Sequence, residues 1–262
     1  MQEPITKKSL GQHWLHDSDT LEAIAASAKI TDQDTVLEIG PGLGTLTKLL
    51  VQQAQNVVAV EFDEALARDL PRRVAASNLE VVSQDILQLD FTQLPPDYKI
   101  VANIPYYLTS NLIRIISETT NPPSTAVLLI QKEVAERAAA EPGAMSLLSV
   151  TAQYYWEVSL GQVVPAELFT PPPKVDSQIL ILERRAEPLF EDLDAQQFFR
   201  LVKAGFSQKR KTLLNSLSGG LQLEKPKVKA ICEAADIDSG RRAQTLSLDD
   251  WYALYEVWQQ NT

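Results

Sequence analysis

The chain has 262 residues, 45% of them hydrophobic, enough to bury the core of one generous domain or of a large domain with a small companion. A single cysteine, Cys232, excludes an intrachain disulfide and a thiolate metal cluster, and two neighbouring histidines, His13 and His16, make a zinc site a poor expectation. The net charge of −10 has the wrong sign for a chain that coats itself in phosphate, so any nucleic-acid contact must come from a local positive patch.

The first part alternates short apolar runs with helical patterns, the signature of strand–helix repeats on a parallel sheet. Strands are predicted at 35–39 (TVLEI), 56–61 (NVVAVE), 79–82, 99–102, 126–130, 158–164 and 178–182, giving an α/β fold with a sheet near seven strands. Helices are predicted at 45–54, at 64–75 behind Asp63 as N-cap, at 109–118 and at 132–140, with a further helical stretch after Pro142-Gly143. The proline-rich segment Thr170 to Asp176 separates the last two strands. Beyond Pro188 only helices are expected, at 195–206, 208–217, 225–235 and 248–259, so the division is a domain over 1–187 and a small all-helical domain over 188–262.

The strand at 35–39 runs directly into Glu38-Ile39-Gly40-Pro41-Gly42-Leu43-Gly44, three glycines at alternate positions of a strand-to-helix turn. Glycine suits a place where the backbone bends sharply and a ligand must approach it without a side chain between. The next strand ends in Glu61, where nucleotide-binding sheets carry an acid that accepts from ribose hydroxyls, and Asp85 just past the third strand can accept from an adenine amine. A nicotinamide cofactor and S-adenosylmethionine both remain open on these residues. The glycine spacing fits the second better, because a dinucleotide turn sets its third glycine one residue later.

The fourth strand ends in Ala102-Asn103-Ile104-Pro105-Tyr106-Tyr107. Asn-x-Pro-Tyr at this place resembles the signature of methyltransferases that act on adenine amines. The chemistry accounts for the residue types: the amine lone pair is delocalised into the ring, and nitrogen becomes nucleophilic when acceptors hold its hydrogens. The Asn103 side chain and the Ile104 backbone carbonyl can supply two such acceptors, and Pro105 of the motif is counted with them as a catalytic-site candidate. A base drawn out of its stack must also be gripped by aromatic faces, for which Tyr106 and Phe169 are the candidates.

Further blocks extend the resemblance along nearly the whole chain: Lys8 to Leu15, Val164-Pro165 through Pro173-Lys174-Val175-Asp176-Ser177, Phe206 to Leu213, and Arg242 to Leu248. The sequence resembles the ribosomal RNA adenine dimethyltransferases. That resemblance implies a Rossmann-like methyltransferase fold, S-adenosylmethionine as cofactor and N6,N6-dimethylation of adjacent adenosines near the 3′ end of 16S small-subunit rRNA. It also implies a role in ribosome biogenesis; the acidic first domain, which weakens binding to bare RNA, adds the expectation that the rRNA is met inside an immature subunit. By the same resemblance His13 and Leu15 line the cofactor entrance, Gly40 contacts the methionine part, Gly42 is a further cofactor-binding candidate in the same turn, and Glu61 holds the ribose. Asp85 then takes the adenine, and Asn103 stands between cofactor and substrate. His13-Trp14 departs from the commoner Asn-Phe, which leaves the role of side chain 13 open.

Residues 1–187 carry 14 Lys/Arg against 24 Asp/Glu, whereas 200–229 carry eight basic residues against Glu224 alone. Lys209, Arg210 and Lys211 are the expected phosphate contacts, at a helix start. No run of eighteen apolar residues and no secretory stretch is present, so a cytoplasmic monomer with no membrane and no metal is expected. Alternatives are a large-subunit rRNA adenine methyltransferase that confers antibiotic resistance, a non-catalytic RNA-binding assembly factor on the same scaffold, and a nicotinamide dehydrogenase. Asn103 to Tyr106 argue against the last two.

Overall fold

The structure, a computed structural model, describes residues 11–190 and 193–261. Lys8, Ser9 and Leu10 of the first block lie outside the described residues. The chain forms two compact units, one of residues 11–136 and 156–184 among those described, the other of 137–155 and 185–261. The division expected at 187/188 is therefore corrected: a segment between two sheet strands belongs with the helices. Its Met145 and Val150 are buried in one cluster with Phe198, Leu217, Ile231, Trp251 and Leu254. A helix placed between strands in sequence gives no local sign of which core takes its apolar face.

The first unit holds a seven-stranded sheet in the order β4-β3-β2-β5-β6-β9-β7. Its strands are β2 (Thr35–Ile39), β3 (Asn56–Glu61), β4 (Leu79–Ser83), β5 (Lys99–Asn103), β6 (Thr125–Gln131), β7 (Trp156–Val164) and β9 (Ser177–Arg184). β2 to β6 pair in parallel, while β9 runs antiparallel to both β6 and β7. The parallel strands are near-continuous apolar runs because both faces are covered: all five central residues of β6, Ala126 to Ile130, have no exposed surface. A small ribbon pairs β1 (Trp14–Leu15) with β8 (Phe169–Thr170), two strands too short to show as a period in the sequence.

The chain winds from β2 outward to β3 and β4, then returns to β5 on the other side of β2. This reversal opens a crevice at the C-terminal ends of β2 and β5. Helices α1 (Ser18–Ser27), α2 (Thr47–Gln53), α3 (Glu64–Val74) and α4 (Thr109–Glu118) accompany these strands. Asp63 caps α3 through a 3.0 Å bond from Ala65 N–H, as the sequence predicts. One core cluster joins Ile24 and Ala25 of α1 and Leu50 of α2 to Val36, Val57, Val101 and Val127 of the sheet.

The second unit contains α6 (Leu147–Tyr155), α7 (Ala195–Phe206), α8 (Leu213–Leu221), α9 (Lys225–Ala234) and α10 (Leu248–Gln260). The short α5 (Lys132–Ala138) contains the boundary between units. A capping box between Ser247 and Asp250 starts α10. The helix expected from 208 begins instead at Leu213. Gln208 to Lys211 form a turn closed by Lys211 N–H to the Gln208 carbonyl at 2.9 Å, so Lys209, Arg210 and Lys211 occupy an exposed turn ahead of the helix. Gly220 packs so tightly on α7 that a Cβ there would stand 2.6 Å from that of Ala204.

Candidate active site

One cavity of the first unit collects Leu15, His13, Gly40, Gly42, Glu61, Asp85, Asn103 to Tyr107 and Phe169. Every cofactor, catalytic and base-gripping candidate read from the sequence thus lines a single space, at the crevice where the strand order reverses. The turn after β2 frames it. Gly40 has φ +67° and its N–H donates to the Val60 carbonyl at 2.9 Å; a Cβ there would meet only the Asn103 carbonyl oxygen, at 3.9 Å. Gly42 has φ +56° and lies under the Trp14 ring, which a Cβ would approach to 2.6 Å. The first glycine keeps space open; the second is demanded by packing.

Glu61 ends β3 and is 6% exposed. Its Oε2 accepts from Gly42 N–H at 3.1 Å and its Oε1 from Asp63 N–H at 2.8 Å. Burial raises its pKa, opposed by these backbone donors and reinforced by the nearby Asp63 charge. Each carboxylate oxygen keeps a lone pair beyond the one its backbone donor uses, which suits a vicinal diol. Asp85 is half-buried; its Oδ1 accepts from Leu87 N–H at 3.0 Å. Beneath the turn Glu38 is 1% exposed. Burial, with the Glu61 charge adding, pushes its pKa to about 8, and the Thr47 hydroxyl acts in the opposite sense. Neither Glu38 Oε2 nor Thr47 Oγ1 closes a hydrogen bond of ordinary geometry.

Asn103 is the last residue of β5, and its carboxamide has no hydrogen-bond partner among the described residues. The next carbonyls differ in a telling way. Those of Pro105 and Tyr106 are taken, by Leu108 N–H at 3.0 Å and the Thr109 hydroxyl at 3.1 Å, whereas that of Ile104 accepts nothing from the described residues. Two acceptors, one side chain and one backbone, are left open at the strand end.

Tyr106 begins a short 3₁₀ turn, Tyr106–Leu108, and its hydroxyl pairs with Ser177 Oγ at 2.9 Å. Burial raises its pKa, the Ser177 bond lowers it and the Asp176 charge raises it, so the phenol stays neutral at physiological pH. The His13 ring lies 6.1 Å from the Tyr106 ring, centroid to centroid, with 22° between planes. His13 Nδ1 is 2.7 Å from the Pro171 carbonyl oxygen; a carbonyl only accepts, so Nδ1 carries the proton of this bond. Side chain 13 thus anchors the ribbon to the proline segment. Leu15 and Phe169 face each other in register across that ribbon, 2% and 3% exposed. They are walls of the cavity, and Phe169 offers a ligand a patch of ring rather than a free face. Sequence reasoning passed over Ser177 as a site residue and also Phe62, 58% exposed at the cavity beside Glu61. The signal for Phe62 was an aromatic directly after the strand-end acid.

A sequence profile described as ribosomal RNA adenine dimethylase matches residues 5–256. The chain belongs to the ribosomal RNA adenine dimethylase family. It is similar to the ribosomal RNA small subunit methyltransferase A of Dehalococcoides mccartyi, 39% identical over 97% of this chain and 89% of the relative. The corresponding protein of Desulfitobacterium hafniense is 42% identical, over 97% and 92%. Among solved structures, a dimethyladenosine transferase from Plasmodium falciparum superposes with a TM-score of 0.80 at 29% identity, covering 95% of this chain and 98% of that one. The 23S rRNA methyltransferase ErmE superposes at 0.74 with 31% identity, over 94% and 100%. This ribosomal RNA adenine dimethylase is an S-adenosylmethionine-dependent enzyme. The residues present fit that cofactor: a glycine whose Cβ position is open, a buried acid with lone pairs to spare, and a second acid one strand further on. Among the described residues no cluster of His, Cys, Asp and Glu could hold a metal, and no helix is long and apolar enough to cross a membrane.

Proposed function

We propose that this enzyme dimethylates N6 of adjacent adenosines near the 3′ end of 16S rRNA, acting as a cytoplasmic monomer on an immature small subunit during ribosome biogenesis. The observation that carries the chemistry is the pair of open acceptors at the end of β5, Asn103 Oδ1 and the Ile104 carbonyl, beside carbonyls already consumed by the turn. S-adenosylmethionine, when bound, supplies an activated methyl group and departs as a neutral thioether. Glu61 holds the ribose, Asp85 receives the adenine amine on its remaining oxygen, Gly40 and Gly42 border the methionine end, and His13 and Leu15 line the entrance. In the first transfer Asn103 and Ile104 accept from the two N6 hydrogens and draw the lone pair out of the ring; in the second they hold the one hydrogen that remains; after each transfer one proton leaves N6 to water, so no strong base is required at the nitrogen. Tyr106, set by Pro105, grips one face of the flipped base, and Phe169 bounds the other side.

The small-subunit reading rests on identities of 39–42% to relatives named for that subunit, against 31% to the 23S enzyme. The acidic first unit weakens attraction to bare RNA, and Lys209, Arg210 and Lys211 in their exposed turn supply phosphate contacts that orient the particle. Incubation with labelled cofactor and immature small subunits, followed by mass-spectrometric mapping, should place label on neighbouring adenosines of 16S rRNA. Label in large-subunit RNA, or tight salt-insensitive binding to protein-free rRNA, would overturn the assignment.

A further inference from the structure

The antiparallel strand of the sheet brings a residue that the adenine-amine motif does not contain to the hydroxyl of Tyr106. Because β9 runs opposite to β6, its first residue falls at the edge where the parallel strands end. That residue, Ser177, lies opposite Gln131 on one side and Val164 on the other, so its backbone is held by both neighbours. It has no exposed surface, and its hydroxyl is bonded to the Tyr106 hydroxyl at 2.9 Å. Tyr106 hangs from a 3₁₀ turn at its backbone end; the Ser177 bond fixes the far end of the ring.

We propose that Ser177 is a positioning residue for methyl transfer, which acts by clamping the Tyr106 ring in the plane that receives the target adenine. This rests on the reading of Tyr106 as the face that grips the base. A tyrosine side chain has two rotatable bonds; with its hydroxyl free, the ring can swing about them and the stacked base loses its alignment with the acceptors of Asn103 and Ile104. Misalignment of a reacting nitrogen lowers the rate of the chemical step while cofactor binding, made by other elements, is untouched.

The test is a double-substitution cycle on the full-length enzyme with immature small subunits, read by single-turnover rate, cofactor Kd and melting temperature. Ser177→Ala should slow methyl transfer by about tenfold at saturating RNA and cofactor, the scale of one lost buried hydrogen bond, with cofactor Kd unchanged. Tyr106→Phe removes the same bond from the other side and should give a similar loss even if Ser177→Ala folds poorly. Adding Ser177→Ala to Tyr106→Phe should then cost nothing more. A wild-type rate in Ser177→Ala, or losses that multiply in the double variant, would overturn the clamp. Tyr106→Ala separates the two layers. If it retains turnover, the base-gripping assignment itself is wrong; if it abolishes turnover while Ser177→Ala and Tyr106→Phe are silent, only the clamp falls.

Discussion

Glu61 Oε2 accepts the Gly42 N–H at 3.1 Å across nineteen residues of sequence, tying the end of β3 to the glycine turn that follows β2. One carboxylate therefore braces the backbone of the cavity and keeps lone pairs that, in the proposed function, take the ribose. Glu61→Ala should weaken S-adenosylmethionine binding by roughly 10- to 100-fold, the scale of hydrogen bonds to a charged group, as measured by calorimetry. Glu61→Gln keeps one acceptor and should fall between the two. Unaltered affinity in the alanine variant would remove Glu61 from the site.

The two glycines of the turn should separate stability from binding. Gly42→Ala forces a Cβ against the Trp14 ring at a positive φ and should lower stability by about 1–3 kcal/mol in denaturant titration. Gly40→Ala has open space around its Cβ and should cost only about 1 kcal/mol of backbone strain, yet weaken the cofactor more. Equal melting temperatures with equal affinities would contradict this division of labour.

Glu38 makes stability depend on pH. Burial raises its carboxyl from an ordinary value near 4.5 to about 8, so the folded protein keeps a proton that the unfolded chain releases. Stability from this group is fully present below about pH 4.5 and declines as pH rises through 8. Glu38→Gln, which copies the protonated shape, should flatten that decline and raise the melting temperature at pH 8 more than at pH 5. An identical gain at both values would show that Glu38 is ionised in the fold.

Asn103→Ala should reduce turnover by at least about 100-fold while cofactor Kd changes little, because the lost acceptor acts on the reacting nitrogen. Single-turnover rates and calorimetry together decide it. Turnover close to wild type would leave the Ile104 carbonyl without its partner in the mechanism.

Replacing Lys209, Arg210 and Lys211 together by Gln should weaken RNA binding and reduce the slope of log K against log salt by about 2–3, since each phosphate contact contributes roughly 0.7–0.9. An unchanged slope would show that this turn faces solvent only.

The parallel sheet was legible because its strands are buried on both faces and read as unbroken apolar runs such as Ala126 to Ile130, each followed by a helix of its own. The cavity was legible for a related reason: Gly40, Glu61, Asp85 and Asn103 all stand at strand ends, where topology gathers them. Pairing of Trp14-Leu15 with Phe169-Thr170 was not, since two residues carry no period and their partners are far apart in sequence. The start of α8 was misplaced because Gln208 to Lys211 are good helix formers held in a turn by their surroundings. Ser177 carries no sign of a role in the sequence, because its partner Tyr106 stands seventy-one positions away.

The helical unit is assembled from two stretches, 137–155 and 185 onward, with two strands of the sheet inserted between them. No single cut can release either unit intact, so swapping the helical part between related enzymes requires two junctions, near 136 and near 155, besides the one at 185. During synthesis α6 leaves the ribosome before α7 to α10, and its Val150 stays without its core partners until α7 and the helices after it have been made.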